Sequence, residues 1–598
     1  MDGQRVGEGA FNISKPGMGK SDIEQWKDAI DLGYQYKKKY GECDRWETYK
    51  KYYRGIFPGY TTSTTGILPY NLTYAMARTL IPNIYFRNPY VNITPRPKFG
   101  ARIPLDMHAK ILEGVDNWLC QEMSLKKEMK TALLDGFFTN KCIWKIGYDS
   151  QYGFTPTDTA DNIGIKDATL TQFSKKGELT EYNINVKPGM PWVLRVDPDD
   201  IIVPFGTRVL DDCAWIAQRV IRPLSDVKGD PKYKHTKDLE GTHLEMIYKD
   251  SKRVDFYKEM TKLCDWVEIW EIRDRKRKEI CAFVPGYDEW IREPEEDVLQ
   301  IEGLPYVDMN MNEDPQYFWG VSDVAIMEPQ QLKCNEARTQ AMLHRRAALL
   351  KFLVDKNIID QEEIDKMCSE NVAPVVRLKG PPGASIVQLQ PHIPADLIGW
   401  VEQIRSDVRE MIGFSRQSSG ELPAGRRTAR EVDVATMAKE IRLDERRDMM
   451  ADCFVDIIRK VNQVIFDKWD TSHIVQVVGY DGAKYWIEYT RDAIMGEYNV
   501  RVDVESMTPV TKALKRKEIV ELVGALSKYP RANIDYLMKV LVREFDYLDA
   551  LAILPEAPET AGGQPMPASQ FVQQQQAMAS NPQVLQARVR QTQKAMGG

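Results

Sequence analysis

The sequence predicts an α+β fold in which helical blocks lie on either side of a β-rich middle segment. Apolar side chains recur at helical spacing before about residue 140 and again after about residue 320. Between about residues 150 and 310, short runs such as WVEIWEIRD instead alternate apolar with charged side chains, which is typical of a sheet with one solvent-exposed face. At 598 residues the chain is too long for one hydrophobic core, so several packed units are expected.

The composition argues against several classes of protein. Lys and Arg number 81 against 87 Asp and Glu, and the formal charge of -6 argues against a protein that coats nucleic acid through overall basicity. The nine cysteines form no CxxC pair and have no histidines at ligand spacing, so we expect a reducing cytoplasm and neither disulfides nor a zinc site. The N-terminus has no export signal, and no run approaches the roughly 18 apolar residues of a membrane span.

Helix signals are clear in the first quarter of the chain. Ser21 and Glu24 form a capping box that begins a helix extending to about residue 40. The stretch YNLTYAMARTLIP predicts a helix that stops near Pro82, because proline interrupts helical hydrogen bonding. A helical block from about Pro104 to Phe138 then leads into the strand-like stretch CIWKIGYD.

The helix predicted after residue 320 carries few apolar side chains, which indicates a solvated face or a polar neighbour. Pro329 is expected to kink or begin it. Its polar side chains include Lys333, Arg338, Gln340, Arg345 and Arg346. A small insert follows, with a short helix near Asp360 and two strand-like runs joined by Gly380, Pro381, Pro382 and Gly383.

A second helix, from about 395 to 413, has a clear apolar stripe formed by Leu397, Val401, Ile404, Val408 and Met411. The stretch RQSSGELPAGRRTAREV then interrupts the helical pattern with a loop that carries several arginines. Thr428 and Glu431 form a capping box for a helix that reaches about Trp469, roughly 60 Å at 1.5 Å per residue. Taken alone, the loop is better explained as a solvated connection between two helices, and the ordered series of elements is the informative feature.

The sequence contains no convincing catalytic motif. GMGKS at 17–21 lacks the first glycine of a phosphate-binding loop, because Ser14 occupies that position, and no apolar strand precedes it. The DPDD run at 197–200 offers carboxylates for a metal ion, but aspartates that flank Pro198 at a strand boundary are typical of a turn. The six histidines show no catalytic spacing. We therefore predict no enzyme, no metal and no cofactor.

Strands are predicted again at IVQVV, YWIEYT and YNVRVDV, and helices from Thr511 to about Ile553. The remaining residues are biased towards Pro, Gly and Gln, and they are either disordered or a marginal helix that needs partners.

The order of these elements resembles the portal proteins of tailed bacteriophages. In that family a stem helix descends to a clip, a second stem helix ascends, a tunnel loop projects into a channel, and a long helix crosses the wing. The N-terminal part is also similar to the family pattern, in residues Trp46, Tyr52, Tyr53, Arg54, Gly55, Asn71, Pro82, Tyr85, Phe86, Arg87, Asn88 and Pro89.

The resemblance implies a portal-type fold with a β-rich wing, a helical stem, a small α/β clip, a long wing helix and a helical C-terminal crown. The segments it assigns are an arm at 1–20, the wing at 21–321, stem helices at 322–350 and 394–414, the clip at 351–393, the tunnel loop at 415–427, the long helix and wing strands at 428–510, the crown at 511–555 and a tail at 556–598.

Candidate functional residues follow from these segments. The DNA-facing residues of the tunnel loop would be Arg416, Gln417, Ser418, Ser419, Glu421, Arg426, Arg427 and Arg430. The channel-facing residues of the stem would be Lys333, Arg338, Gln340, Arg345 and Arg346. Partners would dock on the clip at Asp360, Glu362, Glu363, Asp365, Lys366, Lys379, Gly380, Pro381, Pro382 and Gly383.

The resemblance also implies partners and a location. We expect a ring of twelve copies at one capsid vertex of the virion, assembled in the host bacterial cytoplasm, through which double-stranded DNA passes without sequence readout. The expected protein partners are the terminase large subunit, which supplies ATP hydrolysis, the major capsid protein, and head-completion or tail adaptor proteins, with the scaffolding protein as a further candidate. No membrane contact is expected.

Two alternatives stay open from the sequence. A terminase-like DNA-packaging enzyme would turn over ATP and depend on Lys20, whereas a passive conduit would not. Another head-tail adaptor or ring-forming structural protein is the second alternative, although adaptors are usually much shorter chains.

Overall fold

The computed structural model describes the parts of the chain from which the architecture follows. The described residues are 22–58, 69–95, 105–148, 171–173, 179–181, 190–230, 232–241, 265–299, 301–347, 351–354, 360–368, 379, 386–389, 396–412, 429–469, 473–478, 484–489, 498–502, 520–522, 524 and 566–567. The chain divides into two compact units. The first unit comprises Met1–Glu47, Ala77–Asp323 and Asp433–Gly598, and the second comprises Thr48–Met76 and Val324–Val432.

Helices and strands are both well represented. The α-helices are α1 (Asp22–Gly41), α2 (Cys43–Tyr53), α3 (Leu72–Ile84), α4 (Leu105–Glu122), α5 (Leu125–Thr139), α6 (Leu224–Gly229), α7 (Asp323–Ala347), α8 (Gln361–Cys368), α9 (Asp396–Ile412) and α10 (Ala429–Lys468). The strands are β1 (Val91–Pro95), β2 (Lys141–Tyr148), β3 (Thr171–Phe173), β4 (Leu179–Glu181), β5 (Pro191–Val196), β6 (Ile201–Ile202), β7 (Trp215–Pro223), β8 (Trp266–Asp274), β9 (Glu279–Phe283), β10 (Trp290–Glu296), β11 (Tyr306–Asn310), β12 (Lys351–Val354), β13 (Ile386–Leu389), β14 (His473–Val478), β15 (Lys484–Tyr489), β16 (Tyr498–Val502) and β17 (Met566–Pro567).

The largest sheet of the first unit has five antiparallel strands in the order β10-β9-β8-β7-β6. Helix α1 packs on one face, where Trp26 meets Trp215 edge-on with ring centroids 5.5 Å apart. Gly33 permits this approach, since a Cβ at that position would lie 2.5 Å from Ile202 Cγ2. A second core of apolar side chains includes Val267 and Ile269 of β8.

The prediction of one solvent-exposed face was wrong for β8, because its charged side chains are buried and find partners. Glu268 accepts a hydrogen bond of 3.0 Å from Trp270 Nε1, and burial raises its pKa to about 7. Glu271 Oε1 accepts a bond of 2.7 Å from Lys145 Nζ of β2. Burial alone would raise the pKa of Glu271, but Lys145 and Arg273 outweigh it and lower that pKa below its ordinary value.

A three-stranded sheet in the order β11-β2-β5 joins the same unit through that ion pair. Lys145 Nζ also donates to Gln218 Oε1 of β7 at 2.8 Å, and Tyr306 Oη donates to the same oxygen at 2.8 Å. Two sheets are therefore connected by buried polar groups whose partners are supplied across the interface.

Several helix boundaries differ from the predictions. The block predicted from 104 to 138 is two helices, because Ser124 adopts a left-handed conformation with φ 51° and separates α4 from α5. Helix α3 continues past Pro82 to Ile84, and α7 includes Pro329 instead of beginning at it.

Other predicted elements are confirmed. The first helix, the three late strands and the long helix α10, with its 40 residues, occur as expected. The strand β16 pairs with β1, which places residues more than 400 positions apart side by side in the first unit. The helices predicted from Thr511 to Ile553 and the tail at 556–598 lie largely outside the described residues. None of the helices in the described parts combines the length and apolar character needed to cross a bilayer.

Two neighbouring arginines of α10 hold other elements of the first unit. Arg446 donates to both carboxylate oxygens of Asp323, at 3.0 and 2.9 Å, and also to Asn312 Oδ1 at 3.0 Å. Arg447 Nε donates to the carbonyl oxygen of Asn83 near the end of α3, at 2.8 Å. Bidentate arginine pairs fix orientation as well as distance, so this contact anchors the beginning of α7 to the long helix.

The Arg446–Asp323 pair predicts a large stability loss when it is broken. We expect Arg446→Met to lower the free energy of unfolding by about 3 kcal/mol, because it leaves the buried Asp323 carboxylate without its cation. Arg459→Met is the matched control, since Arg459 lies on the same helix in an exposed pair with Asp456, and its effect should stay within about 1 kcal/mol. Chemical denaturation at equal protein concentration measures both, and equal effects of the two variants would contradict the anchoring role.

Candidate functional site

The second unit contains the elements for which the sequence predicted a role in a channel. These are nearly all of α7, the short helix α8, the strands β12 and β13, and the helix α9. Segments from α2 and α3 complete the unit.

The inner face of α7 combines apolar side chains such as Val324 and Met327 with buried polar ones. Glu328, Gln331 and Asn335 follow each other at helical spacing and are almost fully excluded from solvent. Tyr52 Oη donates to Glu328 Oε1 at 2.9 Å, and Asn335 Oδ1 accepts from the backbone N–H of Tyr70 at 2.9 Å. The polar neighbour predicted for this helix is thus confirmed.

Gln331 is the most highly connected of these side chains. Its Oε1 accepts from the backbone N–H groups of Leu72 and Thr73 at 2.8 and 3.2 Å, while its Nε2 donates to the carbonyl of Tyr70 at 2.7 Å. Leu72 and Thr73 begin α3, and the first N–H groups of a helix have no partner within it. Gln331 therefore caps a helix that is distant in sequence, and Asn71 completes the cap by accepting from Tyr74 N.

Two arginines from different helices meet the ring of Tyr70. The guanidinium carbon of Arg338 on α7 lies 4.9 Å from the ring centroid, and that of Arg405 on α9 lies 5.2 Å away. Arg405 also donates to Glu402 Oε1 at 2.7 Å. Cation–π contacts of this kind hold both helices against the same residue. Arg338, predicted to face the channel, is thus half-buried on Tyr70.

The outer face of α7 mixes charged and apolar side chains. Lys333 Nζ contacts Glu336 Oε2 at 2.7 Å, and Gln340 Nε2 donates to Glu336 Oε1 at 3.4 Å. Leu332 and Leu343 are exposed on this face, and half of the Leu343 surface is accessible (50%). Arg345, another predicted channel residue, is also exposed, while the side chain of Arg346 lies outside the described residues.

Helix α9 also has one buried and one exposed face, and its buried face is apolar. Ile404, Val408 and Ile412 are buried, whereas Trp400 is 56% exposed and Met411 is 38% exposed. The predicted stripe ended at Met411, but Ile412 occupies the inner position and Met411 lies outside. Trp400 and Met411 are thus apolar side chains that remain exposed on α9.

The predicted clip residues that are described lie on a polar surface. Strands β12 and β13 pair antiparallel, and α8 lies between them in the chain. Lys379 Nζ pairs with Asp360 Oδ1, and Lys366 Nζ with Glu363 Oε1, each at 2.6 Å. Glu362 and Asp365 are exposed as well. Lys379 and Asp360 are both exposed, whereas Glu363 is only 12% exposed, and an exposed pair adds little stability. Gly380, Pro381, Pro382 and Gly383 lie outside the described residues.

The predicted tunnel loop also falls outside the described residues. This applies to Arg416, Gln417, Ser418, Ser419, Glu421, Arg426 and Arg427. Arg430 lies in the first turn of α10, and its side chain is outside the described part. The described ends of the neighbouring helices are Ile412 and Ala429.

The acidic run at 197–200 forms the turn that the sequence favoured. Asp197 Oδ1 accepts from the backbone N–H of Asp199 and caps a short 3-10 turn, while Asp200 pairs with Arg219. The fully buried ammonium group of Lys37 lies beside this turn. It donates to three backbone carbonyls at distances of 2.6 to 3.0 Å and sits between the rings of Trp46 and Trp319.

Burial lowers the pKa of Lys37 to about 8, but its three carbonyl acceptors match the three donors of the charged form. Over the described residues, no group of three or more His, Cys, Asp and Glu side chains is arranged to hold a metal ion. Lys20, on which a phosphate-loop interpretation depends, lies outside them.

Sequence reasoning missed Tyr70 and the buried stripe of Glu328, Gln331 and Asn335. The spacing of these three polar residues on one helical face indicates a solvated face or a polar neighbour, and it does not identify that neighbour. Their partners could not be inferred, because the 52–74 segment is more than 250 residues away in the chain.

The cap made by Gln331 predicts that two glutamines of α7 contribute differently to the free energy of unfolding. Gln331→Ala should lower the free energy of unfolding by at least ~2 kcal/mol, because each buried group left without a partner costs about 1–3 kcal/mol. Gln340→Ala changes the same residue type on the exposed face and should alter it by less than about 0.5 kcal/mol. Denaturant unfolding at matched concentration distinguishes them, and a Gln331→Ala variant as stable as Gln340→Ala would remove the basis for the cap.

Comparison with known proteins identifies the family. The family described as phage P22-like portal protein matches residues 214–597, a stretch that includes part of the β-rich first unit, α7 to α10 and the C-terminal region. No curated protein matches the chain. Since the family match covers more than half of the sequence, the chain belongs to the P22-like family of phage portal proteins.

Proposed function

We propose that this portal protein forms the ring-shaped DNA channel at one capsid vertex, guides the genome during packaging, retains it, and releases it through the attached tail. Members of the family are virion components that form an oligomeric ring. The channel, the twelve-fold stoichiometry and the individual partners are part of the proposal.

The observation that carries the proposal is the distribution of side chains on α7 and α9. The polar residues Gln331 and Asn335 are buried inside the unit, whereas Leu343, Trp400 and Met411 are exposed. The exposed apolar side chains are explained if neighbouring copies cover them. A heterologous contact repeated around an axis closes into a ring.

A ring of this composition suits a DNA conduit. Each chain carries a formal charge of -6, so twelve chains carry -72, and a duplex should not adhere strongly to such an assembly. Each phosphate that a protein neutralises releases counterions and tightens binding, which would hinder sliding. The arginines of the 415–427 loop and Arg430 would supply a few transient phosphate contacts without reading sequence.

Different partner proteins would bind this ring at different surfaces and stages of assembly. The charged surface at Asp360, Glu363, Lys366 and Lys379 would dock the terminase large subunit, whose ATP hydrolysis drives packaging. Head-completion or tail adaptor proteins would replace the motor on this surface afterwards. The wing would contact the major capsid protein and, during assembly, the scaffolding protein.

Imaging of the purified protein tests the proposal. We expect closed rings with an axial hole wide enough for duplex DNA, and no ATP turnover by the protein alone. A monomer without a central opening at high protein concentration would refute the conduit, and ATP turnover lost on Lys20→Ala would instead favour the packaging enzyme.

The tunnel loop can be tested separately from assembly. Deleting residues 418–425 should leave ring formation intact but lower DNA packaging or retention, because the loop is proposed to contact the duplex and not the neighbouring subunit. Phage yield and packaged DNA length measure this. Wild-type values in the deletion variant would exclude a role for the loop.

The loop arginines should also determine the salt dependence of DNA binding. Replacing Arg416, Arg426, Arg427 and Arg430 with Gln should reduce the slope of log affinity against log salt by up to about one per lost phosphate contact. Arg459→Gln removes an exposed arginine from the first unit and serves as the control. A slope that is equally unaffected in both variants would contradict the proposed phosphate contacts.

A further inference from the structure

A pair of polar side chains lies in the interior of the first unit, between α4 and the long helix α10. Asp116 is 1% exposed and Asn462 is 5% exposed. Asn462 Nδ2 donates to Asp116 Oδ2 at 3.0 Å. Neither residue belongs to the proposed DNA channel.

Among the described residues, one carboxyl oxygen of Asp116 and the amide oxygen of Asn462 have no hydrogen-bond donor. Asp116 Oδ1 and Asn462 Oδ1 are both buried and accept no hydrogen bond from the described residues. A carboxyl and a carboxamide are planar groups of similar shape, and one bond already joins the two. With an ionised carboxylate, two acceptors would remain unpaired in the core, which is costly. A single proton between them would satisfy both.

The surroundings of Asp116 do not favour a charge. The charged group that acts on its carboxyl is Glu113, one turn earlier on α4, and it is also acidic. Cys120, one turn later, has its own pKa raised by burial and by Asp116. Strand β1 contacts this helix through Asn117, and α10 contributes the neutral Asn462. No described lysine, arginine or histidine pairs with Asp116.

We propose that Asp116 is held as a neutral acid that donates its proton to Asn462 Oδ1, so that two hydrogen bonds form an acid–amide clasp between α4 and the long helix. Ionisation of Asp116 removes one of the two hydrogen bonds and leaves the Asp116 and Asn462 oxygens as facing acceptors. The clasp therefore weakens as pH rises. The fold thereby contains a pH-sensitive contact within the first unit, formed by residues other than those proposed for the loop and clip.

The direction of the pH effect follows from the pKa. Burial raises the pKa of Asp116 from 3.8 to about 8, with Glu113 adding to the rise and the Asn462 hydrogen bond partly opposing it. Because the folded pKa lies above the unfolded one, the stability contribution is complete below the unfolded pKa and is lost as pH rises through the folded pKa. The clasp is thus strongest in acid.

Asp116→Asn provides a sharp test, since an amide at 116 can both donate to and accept from Asn462 but cannot ionise. Asp448→Asn makes the same substitution at an exposed position on α10 and is the matched control. Between about pH 5 and about pH 9, the thermal midpoint of the wild type should fall relative to that of Asp116→Asn, while Asp448→Asn should run parallel to the wild type. Parallel profiles for all three proteins would overturn the proposal.

Infrared difference spectra give a second readout that does not depend on stability. At neutral pH the wild type minus Asp116→Asn spectrum should contain the carbonyl stretch of a protonated carboxylic acid, and its absence would also overturn the proposal. Where Asp116→Asn fails to fold, Asn462→Asp replaces it. Two facing carboxyl groups can share one proton, so this variant should lose stability with pH more steeply than the wild type. A profile equal to that of the wild type would count against the clasp.

Discussion

The requirement that buried polar groups find partners is the constraint on which this structure depends. Its helices carry polar side chains into the interior, and each brings a cost unless a donor or acceptor meets it. Gln331 meets the first N–H groups of α3, Lys37 meets three carbonyls of a turn, and Glu271 meets Lys145. These partners are far apart in the chain, so the polar contacts select one arrangement of elements.

The same constraint explains why the second unit has an unusual surface. The buried positions of α7 include the polar residues Gln331 and Asn335, while α7 and α9 both keep exposed apolar side chains such as Leu343 and Trp400. In a single copy this surface would remain in contact with water. In a ring, each copy would cover part of the next, and assembly would supply the apolar burial that the isolated unit lacks.

Charged side chains have different surroundings in the two units. In the first unit, charges such as Arg446 and Asp323 are paired and buried, and they fix the geometry of the long helix. On α8 the exposed Lys366 pairs with Glu363 near the surface, and such a pair contributes little to the fold. In the proposed channel, the overall negative charge would keep DNA from adhering, and the few loop arginines would act locally.

The sequence by itself determined the kinds of elements and their order. The 40 residues of α10, the late strands and the polar character of α7 all follow from local periodicity and capping, and the order of elements suggested the family before any fold was known. Helix ends at Ser124 and Pro82 were misjudged, because a left-handed residue and a tolerated proline depend on tertiary support. Only the tertiary structure decided that both faces of β8 are covered, that Arg338 lies on Tyr70, and that Asp116 meets Asn462. Such contacts join residues that are remote in sequence, and local periodicity carries no information about which distant partner satisfies a buried polar group.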